Sequence, residues 1–189
     1  HEEEDNNVFP FIEGEMIDLV VPDLKWVELA CRWENDPEVR HYARIAWPVT
    51  IEQIKKRFEP VAEEGIKDRV AFMIYHKQDK RPIGDLGFKN IDWLNRCAEI
   101  FWTIGERKYW GRGIVVEAAK LILNYGFTEL NLNKIYTIIL SPNTRSLRAA
   151  KKMGFTEEGV FKEIVYIDSN YVDSHCLSLL KREWCGEQK

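Results

Sequence analysis

The sequence predicts an α+β fold: an α/β sandwich whose mixed, mostly antiparallel central sheet of about seven strands carries helices on both faces. Three observations predict it. Apolar residues recur at helical spacing as far as about residue 64. From Val70 the period drops to that of strands, in VAFMIYHK, PIGDLGFKNI and RCAEIFWTI, which reads as an antiparallel meander. After residue 108 the chain runs helix, strand, helix and a closing pair of strands.

Taken in order, Met16 to Val21 is a short apolar run ending at Pro22, and reads as the first strand. Asp23 caps a helix to about Asn35, with Trp26, Leu29, Ala30 and Trp33 at helical spacing, and Asp36-Pro37 ends it. Thr50 and Gln53 form a capping-box signature for a helix reaching about Glu64. The meander follows, with a polar turn around Gln78 to Arg81. YWGRGIVVEAAKLILNYGFTEL opens on glycines and continues as a helix apolar nearly all round, as a helix packed on a sheet must be. NKIYTIIL is a β-branched run too short for an independent helix, hence a buried strand. Ser141 or Asn143 caps the helix TRSLRAAKKM, which stops at Gly154. Strands from about Gly159 to Ile167 and from Tyr171 to Leu180 flank a hairpin turn at Asp168-Ser169-Asn170.

Composition bounds the function classes. The chain of 189 residues is 45% hydrophobic and 12% aromatic, enough to build one sizeable core. Its net charge of −4 resides in Glu2, Glu3, Glu4 and Asp5, so residues 6–189 sum to zero. A strongly basic nucleic-acid surface is therefore not expected. No apolar run reaches the length of a membrane span, and no membrane partner is expected. Cys31, Cys97, Cys176 and Cys185 are widely spaced, which argues against a zinc module or a secreted disulfide scaffold and for a cytoplasmic home. Residues 1–7 read as a disordered acidic tail or tag remnant, and residues 8–189 as a single domain.

The segment Lys108-Tyr109-Trp110-Gly111-Arg112-Gly113-Ile114 lies between a strand and a helix. Two glycines one residue apart let the backbone curl with its N–H groups inward, and the helix start adds partial positive charge; together they form an anion-binding nest. A Walker loop would need a closing G-K-[ST], and a dinucleotide fingerprint a third Gly or Ala where Val116 stands. A tight turn without a ligand fits the same residues.

This turn, the run NLNKIYTIILSPNTRSLRAAKKMGFTEEG and the closing YIDSNYVDSHCLSLLKREW resemble the GNAT superfamily of N-acetyltransferases. Within it they are similar to the branch of ribosomal-protein N-terminal, spermidine and amino-sugar acetyltransferases. The likeness runs from about Met16 to Trp184 and is densest from Ala98 to Gly159. The pattern [QR]-x-x-G-x-[GA] falls on Lys108, Gly111 and Gly113, with Lys108 replacing the usual Gln or Arg.

The resemblance implies a single acetyltransferase domain over residues 8–189, with acetyl-CoA as cosubstrate. Its pyrophosphate would lie on the turn Lys108, Tyr109, Trp110, Gly111, Arg112, Gly113 and Ile114. Its pantetheine arm would run between Ala98–Ile104 and Asn133–Leu140, paired with backbone near Trp102, Thr103 and Ile104. Asn143 would hold that arm. Arg107, Lys108, Arg112, Arg148, Lys151 and Lys152 either face the phosphates or are solvated helix faces.

Acetyl transfer to an amine needs a neutral nucleophile. An amine of pKa about 10.4 costs about 4.6 kcal/mol to deprotonate at pH 7, and a peptide α-amine only about 1–1.4 kcal/mol. Glu99, between Ala98 and Ile100, is the expected base, acting directly or through water; a salt bridge or an edge-strand charge is the plain alternative. Many relatives place an acidic Tyr four residues before the Gly-Phe pair, where this chain has Ala150. Ser146, one helical turn earlier, is then the expected proton donor to the leaving thiolate, with Tyr166 and Tyr171 as alternatives; no metal site is expected. Trp26, Trp33, Trp47, Phe58 and Trp93 are expected mainly as packing residues beside the acceptor. The acceptor is a small-molecule or peptide amine, and oligomeric state is open, a homodimer included. The competing readings are a catalytically degenerate CoA-binding sensor or scaffold, and a nucleotide-binding switch.

Overall fold

The computed structural model describes residues 8–59 and 65–187, the last three without their side chains. The expected tail over residues 1–7 lies outside them. Strands β1 (Pro10–Glu13) and β2 (Ile17–Val20) precede helices α1 (Val27–Asn35), α2 (Arg40–Ala43) and α3 (Ile51–Phe58). The meander is β3 (Val70–His76), β4 (Arg81–Asp92) and β5 (Cys97–Ile104). Then come α4 (Ile114–Thr128), β6 (Lys134–Leu140), α5 (Thr144–Lys152), β7 (Thr156–Ile167), β8 (Asn170–Leu180) and α6 (Lys181–Glu187). One eight-stranded sheet runs β1-β2-β3-β4-β5-β6-β8-β7, antiparallel except for β5 beside β6. Helix α4 supplies the long crossover that a parallel pair requires.

The expectation of about seven strands is corrected to eight by β1. This strand is four residues long, begins with Pro10 and pairs only with β2, a sheet-edge position where a missing N–H is tolerated. Helix α3 carries the expected capping box: Gln53 N–H donates to Thr50 Oγ1 at 3.2 Å and Thr50 N–H to Gln53 Oε1 at 2.9 Å. It ends at Phe58, short of Glu64. Glu59 precedes Pro60 and is extended, with ψ 140°, because the proline ring crowds a helical neighbour. Strand β7 begins at Thr156, three residues earlier than expected, and its extra length is absorbed by two register shifts against β8. The hairpin turn is two residues: Asp168 and Ser169 have φ of 51° and 63°, the primed geometry that matches strand twist, and Asn170 already belongs to β8.

Both faces of the sheet are covered. Ala118, Ile122 and Phe127 of α4 pack on Leu19, Ile74, Leu86, Phe88 and Ile135, all fully buried, to make the main core. On the other face Trp33 of α1 packs with Val20, Val39 and Met73, and Ile54 of α3 closes over Val27 and Ala30. Trp33 lies against Gly105, where any Cβ would collide with the indole ring, and this joins α1 to the end of β5.

Candidate active site

Past three paired positions the two parallel strands part. The last paired residues are Glu99 and Tyr136, although β5 continues to Ile104 and β6 to Leu140. A cleft of about 1030 Å³ opens between these diverging segments and is bordered by the glycine turn and the first turn of α5. The edge of β5 facing the gap has lost its partner strand, so its backbone donors and acceptors are available to an extended ligand. Trp110 Nε1–H donates to the Ile104 carbonyl at 2.8 Å, so that carbonyl is engaged within the protein. The free edge is therefore carried by Trp102, which borders the cleft. Thr103 borders it too, but Gly105 N–H donates to the Ile83 carbonyl, and in that register the Thr103 backbone turns to Asp85 of β4, contrary to expectation.

At the mouth, Gly111 and Gly113 have φ of 74° and 75°. A Cβ at either would meet nothing, so glycine is needed there for backbone conformation and not for space. Gly113 is the N-cap of α4 and brings no side-chain cap, so the N–H groups of the first turn stay open to an anion. Arg112, Ile114, Arg148 and Lys152 border the cleft, and Lys151 does not. The Arg145 guanidinium lies 3.8 Å from the Trp110 ring centroid.

Two residues of the turn are placed differently from expectation. Tyr109 is buried, touches the cleft with only part of its surface, and donates its hydroxyl to the Asp79 carboxylate. The Lys108 ammonium lies 3.8 Å from the same carboxylate and away from the cleft lining. The Tyr109 hydrogen bond, followed by the charges of His76, Lys108 and Arg112, holds the Asp79 carboxyl below its ordinary value. Burial and the bond to Asp79 push the Tyr109 phenol up. This cluster anchors the turn from behind, to the β3–β4 hairpin. Arg107 is likewise occupied, 2.6 Å from Glu38 and 3.6 Å from Asp36.

Asn143 is the N-cap of α5, its Oδ1 accepts from Ser146 N–H at 3.3 Å, and it borders the cleft with its amide N–H₂ unpaired among the described residues. Ser146 borders the cleft too, and among the described residues its hydroxyl has no hydrogen bond. Ala150 is fully buried in the main core. Tyr166 and Tyr171 sit exposed at the hairpin tip, their rings 5.1 Å apart and outside the cleft lining. None of the five aromatic residues expected beside the acceptor borders the cleft: Trp33 is core, Trp26 packs toward Tyr75, Phe58 packs beneath α1, Trp93 donates to the Lys67 carbonyl and Trp47 is exposed.

Glu99 stands at the apex where the strands part. Its Oε2 accepts from Asn90 at 3.1 Å and its Oε1 lies 3.4 Å from the Lys89 ammonium. A second carboxylate, Asp85, borders the same cleft and was not singled out in the sequence. Burial, and then the charge of Glu34, push its carboxyl up to about 6, against the pull of Arg69 and Arg57. Its sequence signal is an Asp inside a strand between Gly84 and Leu86, a position where aspartate is uncommon.

The model of the acetyltransferase (GNAT) domain family matches residues 20–156. The chain belongs to the GNAT acetyltransferase family. An uncharacterized N-acetyltransferase p20 of Bacillus licheniformis is 31% identical over 91% of this chain and 97% of its own. A putative ribosomal N-acetyltransferase, YdaF of Bacillus subtilis, is 35% identical over 56% of this chain and 57% of its own. Among solved structures, a spermidine N-acetyltransferase from Vibrio cholerae, in complex with CoA and spermine, superposes with a TM-score of 0.81 over 90% of this chain and 98% of that one, at 22% identity.

As a GNAT member this chain has no hydroxyl at position 150, and a buried methyl group fills the place. A serine–histidine–carboxylate chain exists elsewhere: Ser141 Oγ lies 3.0 Å from His175 Nε2, and His175 Nδ1 lies 2.6 Å from Glu157. Ser141 and His175 are outside the cleft lining, and the Ser141 N–H is engaged by the Asp173 carbonyl. The chain therefore ties the turn before Asn143 to β7 and β8.

Proposed function

We propose that this GNAT protein transfers the acetyl group of acetyl-CoA to a primary amine by direct attack in a ternary complex. One observation carries the reading: β5 and β6 part beyond Glu99 and Tyr136, and the gap leads to an uncapped helix start behind two left-handed glycines. In this proposal the amides of Trp110 to Ile114 receive the pyrophosphate, the free backbone of Trp102 pairs with the pantetheine amides, and Asn143 orients that arm. Lys108 and Tyr109 serve from behind by fixing the turn, and Arg112 screens phosphate charge. Glu99 acts as base, directly or through water, and Ser146 donates a proton to the departing thiolate. Where Ser146 is remote from the sulfur, a thiolate with pKa near 8.5 takes its proton from water.

The acceptor class proposed is a small-molecule or peptide amine, in keeping with a structural neighbour bound to spermine. Residues 8–189 act as a single domain, in the cytoplasm, without nucleic-acid or membrane partners, and a homodimer fits. No described helix is long and apolar enough to cross a membrane. Incubation with acetyl-CoA and a panel of peptide amines, polyamines, amino sugars and aminoglycosides, read by product mass spectrometry, tests the proposal. At least one acceptor gains an acetyl group in an enzyme-dependent way. If CoA binds and no amine is acetylated, the protein is a CoA sensor and transfer is refuted.

A further inference from the structure

Four carboxylates among the described residues border the cleft: Glu34, Glu38, Asp85 and Glu99. Three are already matched. Glu34 receives both nitrogens of Arg57 at 2.8 and 2.9 Å, Glu38 receives Arg107 at 2.6 Å, and Glu99 faces Lys89 at 3.4 Å. Asp85 has no cation within salt-bridge distance, and among the described residues its carboxylate is hydrogen-bonded by its own backbone N–H and by no other residue. The charged groups that face it are Glu34 from α1, Arg57 from α3 and Arg69 from the segment before β3. The first two neutralise each other, and the Arg69 guanidinium rests 4.4 Å from the Phe101 ring centroid.

Register fixes where Asp85 looks. It lies opposite Met73 on β3 and Thr103 on β5, and directly opposed residues share a face. Met73 belongs to the core beneath α1, so Asp85 and Thr103 face the α1 side. Lys89 and Glu99, opposed four residues further along, face the same way. Two carboxylates thus stand on one face about 13 Å apart along the strands. Glu99 is at the apex of the splay, and Asp85 is one strand away from the gap, beside Thr103 of β5.

We infer that Asp85 is a further catalytic residue of this enzyme: it binds the acceptor as its ammonium and accepts the first of the two protons that nitrogen must lose. The inference rests on the acetyl-transfer reading and adds to it. An amine reaches the cleft as R–NH₃⁺, the charge that the one unmatched carboxylate lacks. One N–H bond breaks with its electron pair left on nitrogen, and the proton passes to an Asp85 oxygen. The nitrogen then attacks the thioester carbonyl carbon, the C–S bond breaks with its electrons on sulfur, and the second nitrogen proton passes through water, relayed by Glu99 or Ser146, to the thiolate. The products are R–NH–COCH₃ and CoA–SH, and Asp85 returns its proton to solvent. A carboxyl pushed up to about 6 is roughly 10²-fold better at this than an ordinary one and is still ionised at pH 7.

The test is the pH profile of kcat/KM for the most active amine of the panel, between pH 5 and 9, for the wild type, Asp85→Asn, Asp85→Glu and Glu99→Gln, with CoA affinity by calorimetry. Asp85→Asn keeps CoA affinity within about twofold, loses about 10²-fold in kcat/KM and loses the acidic limb near pH 6. Asp85→Glu retains a displaced limb. The inference is overturned if Asp85→Asn stays within about twofold of wild type, or falls equally at every pH with the limb intact. A limb removed by Glu99→Gln and untouched by Asp85→Asn overturns it and leaves acetyl transfer standing. A wild type that acetylates no amine overturns both.

Discussion

Two aspartates six residues apart, Asp79 in the turn before β4 and Asp85 within it, meet opposite fates. Asp79 collects a phenol, an imidazole and two cations, and its carboxyl is held low. Its contribution is therefore in place above the ordinary carboxylate range and is lost only as pH falls through the depressed value, so the glycine turn stays anchored at working pH. Asp85 collects no cation within salt-bridge reach and its carboxyl is pushed up to about 6. Here the sign is reversed: ionisation costs the fold stability above pH about 6, and the cost disappears below the unfolded value near 3.9. Asp85→Asn should accordingly raise thermal stability at pH 8 by about 1–3 kcal/mol, or roughly 2–10 °C, with the gain gone by pH 4. Scanning calorimetry at the two pH values checks this, and an unchanged or lowered melting temperature at pH 8 contradicts the burial of an unmatched charge. Glu99 and the two glycines were legible in the sequence because A-E-I and G-x-G are local signals. Asp79 and Asp85 were not. The Asp79 partner Tyr109 is thirty residues away, and Asp85 acquires a face only once strand register is known.

At the scale of elements, α1 is joined to the end of β5, the strand that parts from β6. Trp33 lies on Gly105, and its Nε1–H donates to Glu106 at 3.0 Å, a carboxylate that also receives Arg32 and Arg81. Gly105→Ala drives a methyl group into the Trp33 ring and should cost about 1–3 kcal/mol. Gly113→Ala meets no atom; its cost of about 1 kcal/mol is torsional, with the loss appearing mainly as weaker CoA binding. Denaturant unfolding and CoA calorimetry on the pair distinguish a joint from a ligand loop, and the reverse pattern would refute both assignments. Most elements could be read from periodicity and caps, the Thr50–Gln53 box most directly. What escaped had non-periodic causes: β1 is a four-residue edge strand, and α3 ends where Pro60 forces Glu59 extended. No pattern within β7 or β8 says which of them joins β6, because a hairpin offers either strand as the neighbour.

Across the whole molecule, a neutral body closes one cleft between two unlike walls. One wall is the glycine turn with α4 and α5, where Arg112, Arg145, Arg148 and Lys152 face the opening. The other is the sheet face beneath α1 and α3, where carboxylates are matched to cations except at Asp85. His41 of α2 meets Asp168 of the β7–β8 hairpin at 3.0 Å and links the two flanks. Net charge alone hid this division, since it is set by four acids at the N-terminus. The claim that the gap between β5 and β6 receives the cosubstrate is tested most directly by amide hydrogen exchange of the full chain with and without saturating CoA. Protection is expected at residues 100–104 and 111–116. CoA binding that protects neither segment would contradict the account.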